Sequence, residues 1–167
     1  IIGVKGLKLV NPTILNSMGT LPQTAICLEP HNNLYELTDI SIINPFTFNN
    51  NDGILIVYTN FLGKLNKKSN IYIENHIDDS SLIAFNVAGF REKYSSETKP
   101  LEGFLKINKA KWINNDYGII RSKTNGFSQK IEMKDITIID KNNNLILLKE
   151  SPISQKNIKD KKNLKLF

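Results

Sequence analysis

A short apolar run closing on Asn or Asp returns at nearly constant spacing along this chain: Leu7-Lys8-Leu9-Val10-Asn11-Pro12, then Ile40-Ser41-Ile42-Ile43-Asn44-Pro45, then Ile71-Tyr72-Ile73-Glu74-Asn75. Further copies lie around Phe104–Asn108 and Ile136–Asp140. The closing residues Asn11, Asn44, Asn75, Asn108 and Asp140 are 33, 31, 33 and 32 residues apart. A fixed period in this range marks a solenoid. Each unit is too thin to bury its apolar side alone and does so by stacking on its neighbours.

Between these copies runs a second apolar set: Ala25-Ile26-Cys27-Leu28, Gly53-Ile54-Leu55-Ile56-Val57, Leu82-Ile83-Ala84-Phe85, Gly118-Ile119-Ile120 and Asn144-Leu145-Ile146-Leu147-Leu148. Both sets are short, β-branched and bounded by Asn, Asp, Ser and Gly, which is the strand signature, and no window carries the longer 3.6-residue stripe of a helix. A third short strand follows each closing residue, in Pro12–Leu15, Pro45–Phe48, His76–Ile77 and Lys111–Ile113. Three strands per turn predict an all-β, parallel β-helix of about five coils, each rising by about one strand spacing of ~4.8 Å. The expected inward stacks are Leu9/Ile42/Ile73/Ile138 and Ile26/Ile54/Ile83/Ile119/Leu145. The fourth coil places Lys106 where the others have Leu or Ile, which predicts a bulge or one-residue slip that turns Leu105 and Ile107 inward. The recurring Asn predicts an internal ladder: stacked amides hydrogen-bond to one another, and Asn accepts the left-handed backbone of a sharp bend.

The domain reading is residues 1–150 as β-helix coils and 151–167 as a basic tail or cap, where Lys156, Lys159, Lys161, Lys162 and Lys165 concentrate. The start at Ile1, with the repeat under way by Leu7 and no polar cap ahead of it, leads us to expect a piece of a longer solenoid. No stretch approaches the ~18 apolar residues of a membrane span, so no span is expected. The single Cys27 excludes an intramolecular disulfide and a thiolate cluster. A net charge of +6 suits an acidic partner such as an anionic polysaccharide. Nucleic acid is not expected, because the lysines are split between Lys64–Lys68 and the tail rather than interleaved with aromatics along one stripe. His31 and His76 stand in different coils without a second ligand at metal spacing and read as surface or turn histidines, and no glycine cluster follows a strand. No cofactor or metal is expected.

Chemistry on a solenoid belongs to outward side chains and longer turns. Asp52, Asp78 and Asp79 lie near the start of second-set strands in adjacent coils. Coil rise plus side-chain length brings such groups within the ~5–9.5 Å that paired carboxylates of glycoside cleavage need. These three are the catalytic candidates. The bland alternative is turn chemistry, since Asn50-Asn51-Asp52-Gly53, Asp78-Asp79-Ser80-Ser81 and Asn114-Asn115-Asp116 are what tight bends use. Candidate substrate contacts are Glu29 at a strand end beside a longer loop, Asp116 before the next second-set strand, Arg91 as a bidentate clamp on a sugar carboxylate, and Tyr94 or Trp112 as stacking platforms.

With Leu-Val-Asn-Pro, Ile-Ile-Asn-Pro, Ala-Ile-Cys-Leu-Glu-Pro and Asn-Asp-Gly-Ile-Leu-Ile in view, the pattern from Val4 to Lys149 resembles the right-handed parallel β-helix proteins of the pectate-lyase-like superfamily. That superfamily includes polysaccharide lyases, glycoside hydrolases and phage tailspikes. The resemblance implies action on, or binding of, a bacterial surface glycan, an extracellular, cell-surface or virion setting, and a homotrimer as in tailspikes. It also implies the competing reading, a non-enzymatic structural or adhesive segment, because fold alone does not name a reaction.

Overall fold

The computed structural model describes residues 1–20, 23–30, 36–58, 67–90, 99–123, 127–128 and 131–152. Among them there is no helix. The strands are β1 (Val4–Val10), β2 (Thr13–Leu15), β3 (Thr24–Leu28), β4 (Leu37–Ile43), β5 (Phe46–Phe48), β6 (Asp52–Val57), β7 (Lys67–Glu74), β8 (Ile77–Asp79), β9 (Ile83–Phe90), β10 (Lys99–Asn108), β11 (Lys111–Ile113), β12 (Tyr117–Lys123), β13 (Phe127–Ser128), β14 (Ile131–Ile139) and β15 (Leu145–Pro152). Pairing is parallel throughout except between β14 and β15.

Three parallel sets result, taking every third strand as far as β12. The first is β1-β4-β7-β10-β14, the second β2-β5-β8-β11 with the last residues of β14, and the third β3-β6-β9-β12. Strand alternation sends every second side chain inward, and register then stacks like upon like. Leu9, Ile42, Ile73, Ile107 and Met133 form one column, and Ile26, Ile54, Phe85 and Ile119 another. Ile42, Ile54, Ile73 and Phe85 are wholly buried, and each side chain of this size contributes about 1.5–3 kcal/mol on leaving water. Three expected members sit elsewhere: Ile138 belongs to the second set beside Trp112, Leu145 is exposed on the antiparallel β15, and Ile83 lies opposite Asp52, two residues out of the register in which Phe85 meets Ile54.

The fourth repeat slips by one residue, as its Lys106 requires. Leu105 and Ile107 lie opposite Ile71 and Ile73 and are buried, while Lys106 turns outward to pair with Glu132 at 3.2 Å. The same slip alters the corner after the first-set strand from the fourth repeat on. Asn11, Asn44 and Asn75 have φ of 52°, 50° and 55°, and their amides form a chain: Asn44 Nδ2 donates to Asn11 Oδ1 at 2.9 Å and Asn75 Nδ2 to Asn44 Oδ1 at 2.8 Å. The ladder ends there. Asn108 pairs with Glu74 inside the strand, and Lys109 takes the left-handed position at φ 54°. Asp135, not Asp140, holds it in the last repeat, also at φ 54°. The ladder is also not internal, because Asn11 and Asn44 face solvent.

A second corner repeats the device one strand later. Asn16, Asn49, Ser80 and Asn114 have φ between 52° and 62°, and Asn49 Nδ2 donates to Asn16 Oδ1 at 2.9 Å. The inward residue of the first corner is Pro45, His76, Ala110 or Ile136, all buried. His76 thereby occupies a core position in the stack.

Candidate functional site

The middle residues of the short second-set strands are in register and point inward: Ile14, Thr47, Asp78, Trp112 and Ile138. Sequence dictates this directly, since a three-residue strand between two tight corners sends only its middle side chain into the core. Thr47, Asp78 and Trp112 are each 0 % exposed, and they meet His76, which is also wholly buried.

The indole N–H only donates. Trp112 Nε1 lies 3.1 Å from His76 Nδ1, so that nitrogen accepts, and the ring carries its proton on Nε2. His76 Nε2 then donates to Thr47 Oγ1 at 2.8 Å, and the threonine hydroxyl donates onward to Asp78 Oδ2. Ser81 Oγ donates to the same oxygen at 2.8 Å while accepting the Asn50 N–H at 3.1 Å. Asn115 Nδ2 donates to Asp78 Oδ1 and to the Ser81 carbonyl. The donors thus converge on one carboxylate from strands and corners of three successive repeats. Trp112 is held between His76, edge to face at a centroid distance of 6.3 Å, and Phe85, stacked at 6.4 Å.

Burial sets the ionisation. Desolvation lowers the His76 pKa to about 3, in keeping with the neutral tautomer that the hydrogen bonds demand. For Asp78 desolvation is again the largest influence and raises the pKa, opposed by the donors from Thr47, Asn115 and Ser81. The chain Trp112–His76–Thr47–Asp78 has the composition of a proton relay, but Ser81 and Asn115, at 1 % and 2 % exposure, close it off and no member reaches solvent. A relay that touches no substrate moves no proton to one. Its physical result is to fix the register of three repeats.

The expected outward carboxylates therefore need correction. Asp78 lies in the core for the reason just given. Asp52 is 5 % exposed; its Oδ1 accepts from Asn86 Nδ2 at 2.9 Å, and its Oδ2 from Asn51 Nδ2 at 2.9 Å and Thr24 Oγ1 at 3.3 Å. Asp79 alone of the three keeps partial access to solvent, with Oδ1 accepting from Ser80 Oγ at 2.8 Å and Asn114 Nδ2 at 3.2 Å. Asp78 and Asp79 are neighbours in β8 and point to opposite sides of the sheet, so they do not form a pair.

Among the expected substrate contacts, Trp112 is a core residue rather than a sugar platform. Asp116 is half-buried and ion-paired with Lys141. Glu29 stands beside Cys27, whose Sγ is 3.8 Å from Oε2; burial and the Glu29 charge push that thiol up to about 11, away from nucleophile chemistry. Arg91, Tyr94 and His31 lie outside the described residues. No group of three or more His, Cys, Asp or Glu side chains stands together as a cation site among the described residues, and no helix there is long and apolar enough to cross a membrane. His76 and Thr47 were missed as members of the cluster. The available signal was the alignment of the three-residue strands on their middle positions, which puts Thr47, Asp78 and Trp112 in one column.

Comparison with protein-family models, with curated proteins and with solved structures finds no match.

Proposed function

We propose that this chain is a stretch of right-handed parallel β-helix that serves as a structural or adhesive element of a surface or tail protein, and that it is not the seat of a reaction. The recurrence of three parallel sets supports the helical path, and parallel crossovers within one sheet are right-handed in about 98 % of cases. One observation carries the functional half: Asp78 and Asp52, the carboxylates best placed by sequence for acid/base work, are buried and occupied by donors from neighbouring repeats. A catalytic carboxylate has to reach its substrate. Asp79, partly exposed, has no second carboxylate of the expected set beside it, whereas glycoside hydrolysis ordinarily works with two.

The test is incubation with a panel of acidic and neutral bacterial polysaccharides, following reducing ends and the absorbance of unsaturated uronates, with affinity electrophoresis on the same glycans to detect binding. No turnover is expected, with or without retardation. Turnover that disappears in Asp79→Asn while circular dichroism stays unchanged would overturn the proposal and restore a glycan-cleaving activity.

A further inference from the structure

The outer side of the second set is apolar along most of its length. Neighbouring strands in register bring Leu15, Phe46 and Ile77 onto it, and the antiparallel pairing of β15 with β14 adds Leu145 and Leu147 at the far end. These five are 49 %, 36 %, 41 %, 60 % and 57 % exposed. Taking roughly 200 Å² for a fully exposed residue of this size, they present on the order of 500 Å² of apolar surface, near the upper end of what a monomer keeps in water. Two such faces pressed together remove on the order of 1,000 Å², the size at which specific interfaces begin.

The charge on this face indicates what covers it. The molecule carries +6 overall, yet the outward positions of β2, β5, β8 and β11 hold one acid, Asp79, and one base, Lys111. Lys111 stands opposite Ile77 and Ile113 opposite Asp79, which makes the two charges diagonal neighbours. A two-fold axis lying in the interface between them exchanges their positions and sets each lysine against the other copy's aspartate. The face is thus apolar, neutral and complementary to itself, as an isologous contact requires.

We infer that this face is the interface of a two-fold homodimer, its occupant a second copy of the same chain. Sedimentation velocity of the full chain from about 1 to 200 μM tests it. The expected result is a concentration-dependent dimer whose Kd rises at least tenfold in Ile77→Lys and in Phe46→Lys, with circular dichroism unchanged. Asp79→Lys and Lys111→Asp should each self-associate at least tenfold more weakly, and an equimolar mixture of the two should recover dimer, because that pairing restores both cross-interface charge pairs. A monomer at all concentrations, a dimer indifferent to these four substitutions, or a trimer would each overturn the inference.

Discussion

Gly53 lacks a side chain because Asp78 occupies the space one would need. A Cβ built there meets Asp78 Oδ2, the Ala84 carbonyl oxygen at 2.7 Å and Thr47 Oγ1 at 2.9 Å. Backbone and a fully bonded carboxylate cannot give way cheaply, so Gly53→Ala is expected to destabilise by about 2 kcal/mol or more, read from urea unfolding; a loss below about 0.5 kcal/mol would show that the cluster is loose. His76 gives a second prediction. Its folded pKa, about 3, lies below the ordinary 6.5, so between those values the unfolded chain binds more protons and stability falls as pH falls. At 1.36 kcal/mol per unit, the loss from pH 6.5 to 4.5 is on the order of 2 kcal/mol. Asp78 acts in the opposite sense, since its raised pKa favours folding on the acid side and that contribution fades as pH rises through the raised value. Urea titrations at pH 7, 5.5 and 4.5 should therefore find His76→Gln less stable than the parent at neutral pH but less sensitive to acid. An equal acid response in both would refute the assignment to His76. The residue scale is also where the sequence was hardest to read. Thr47, His76 and Asp78 look like ordinary corner residues, and only the packing of one repeat on the next reveals that they face a common interior.

At the scale of the strand and its corner, the sequence was largely legible. Period-two alternation located the strands, and Lys106 alone predicted the slip that buries Leu105 and Ile107. The error over Asn108 has a simple origin: the eye aligns Asn with Asn, whereas the backbone aligns inward side chains, and burial outweighs the preference of one corner residue. Lys109 consequently sits at φ 54°, a conformation costing most L-residues about 1–2 kcal/mol and Asn less. Its contact with Glu74, 3.7 Å apart and solvent-exposed on the lysine side, returns little. Lys109→Asn should therefore stabilise the protein by about 1 kcal/mol in chemical denaturation, relieving the backbone and offering the Asn75 amide a further partner. A loss of stability would mean that the ion pair matters more than the backbone.

At the scale of the whole molecule, stability depends on having a neighbour on each side. Leu7, Leu9 and Ile14 in the first repeat are only half-buried, whereas Ile40, Ile42 and Thr47 directly beneath them are 1 %, 0 % and 0 % exposed. Hydrogen exchange followed by mass spectrometry should find amides 4–15 opening fastest and those of β7 and β9 slowest, in the graded manner of a one-dimensional stack. Uniform protection would indicate a single cooperative block. The all-β, repeating character was plain from the spacing of the Asn-ended runs, while the outer apolar face was not, because its residues are separated by some thirty positions and share a surface only once the register is known. The two kinds of corner also divide the chain by what evolution can do to it. Two residues separate first-set from second-set strands at Asn11-Pro12, Asn44-Pro45, Asn75-His76 and Lys109-Ala110. The following corner takes three residues in the second, third and fourth repeats but eight, from Asn16 to Gln23, in the first. An insertion at the first kind would turn every later side chain of that short strand inside out, whereas the second kind already carries one, so natural length variation and engineered grafts alike belong after the short strands and not before them.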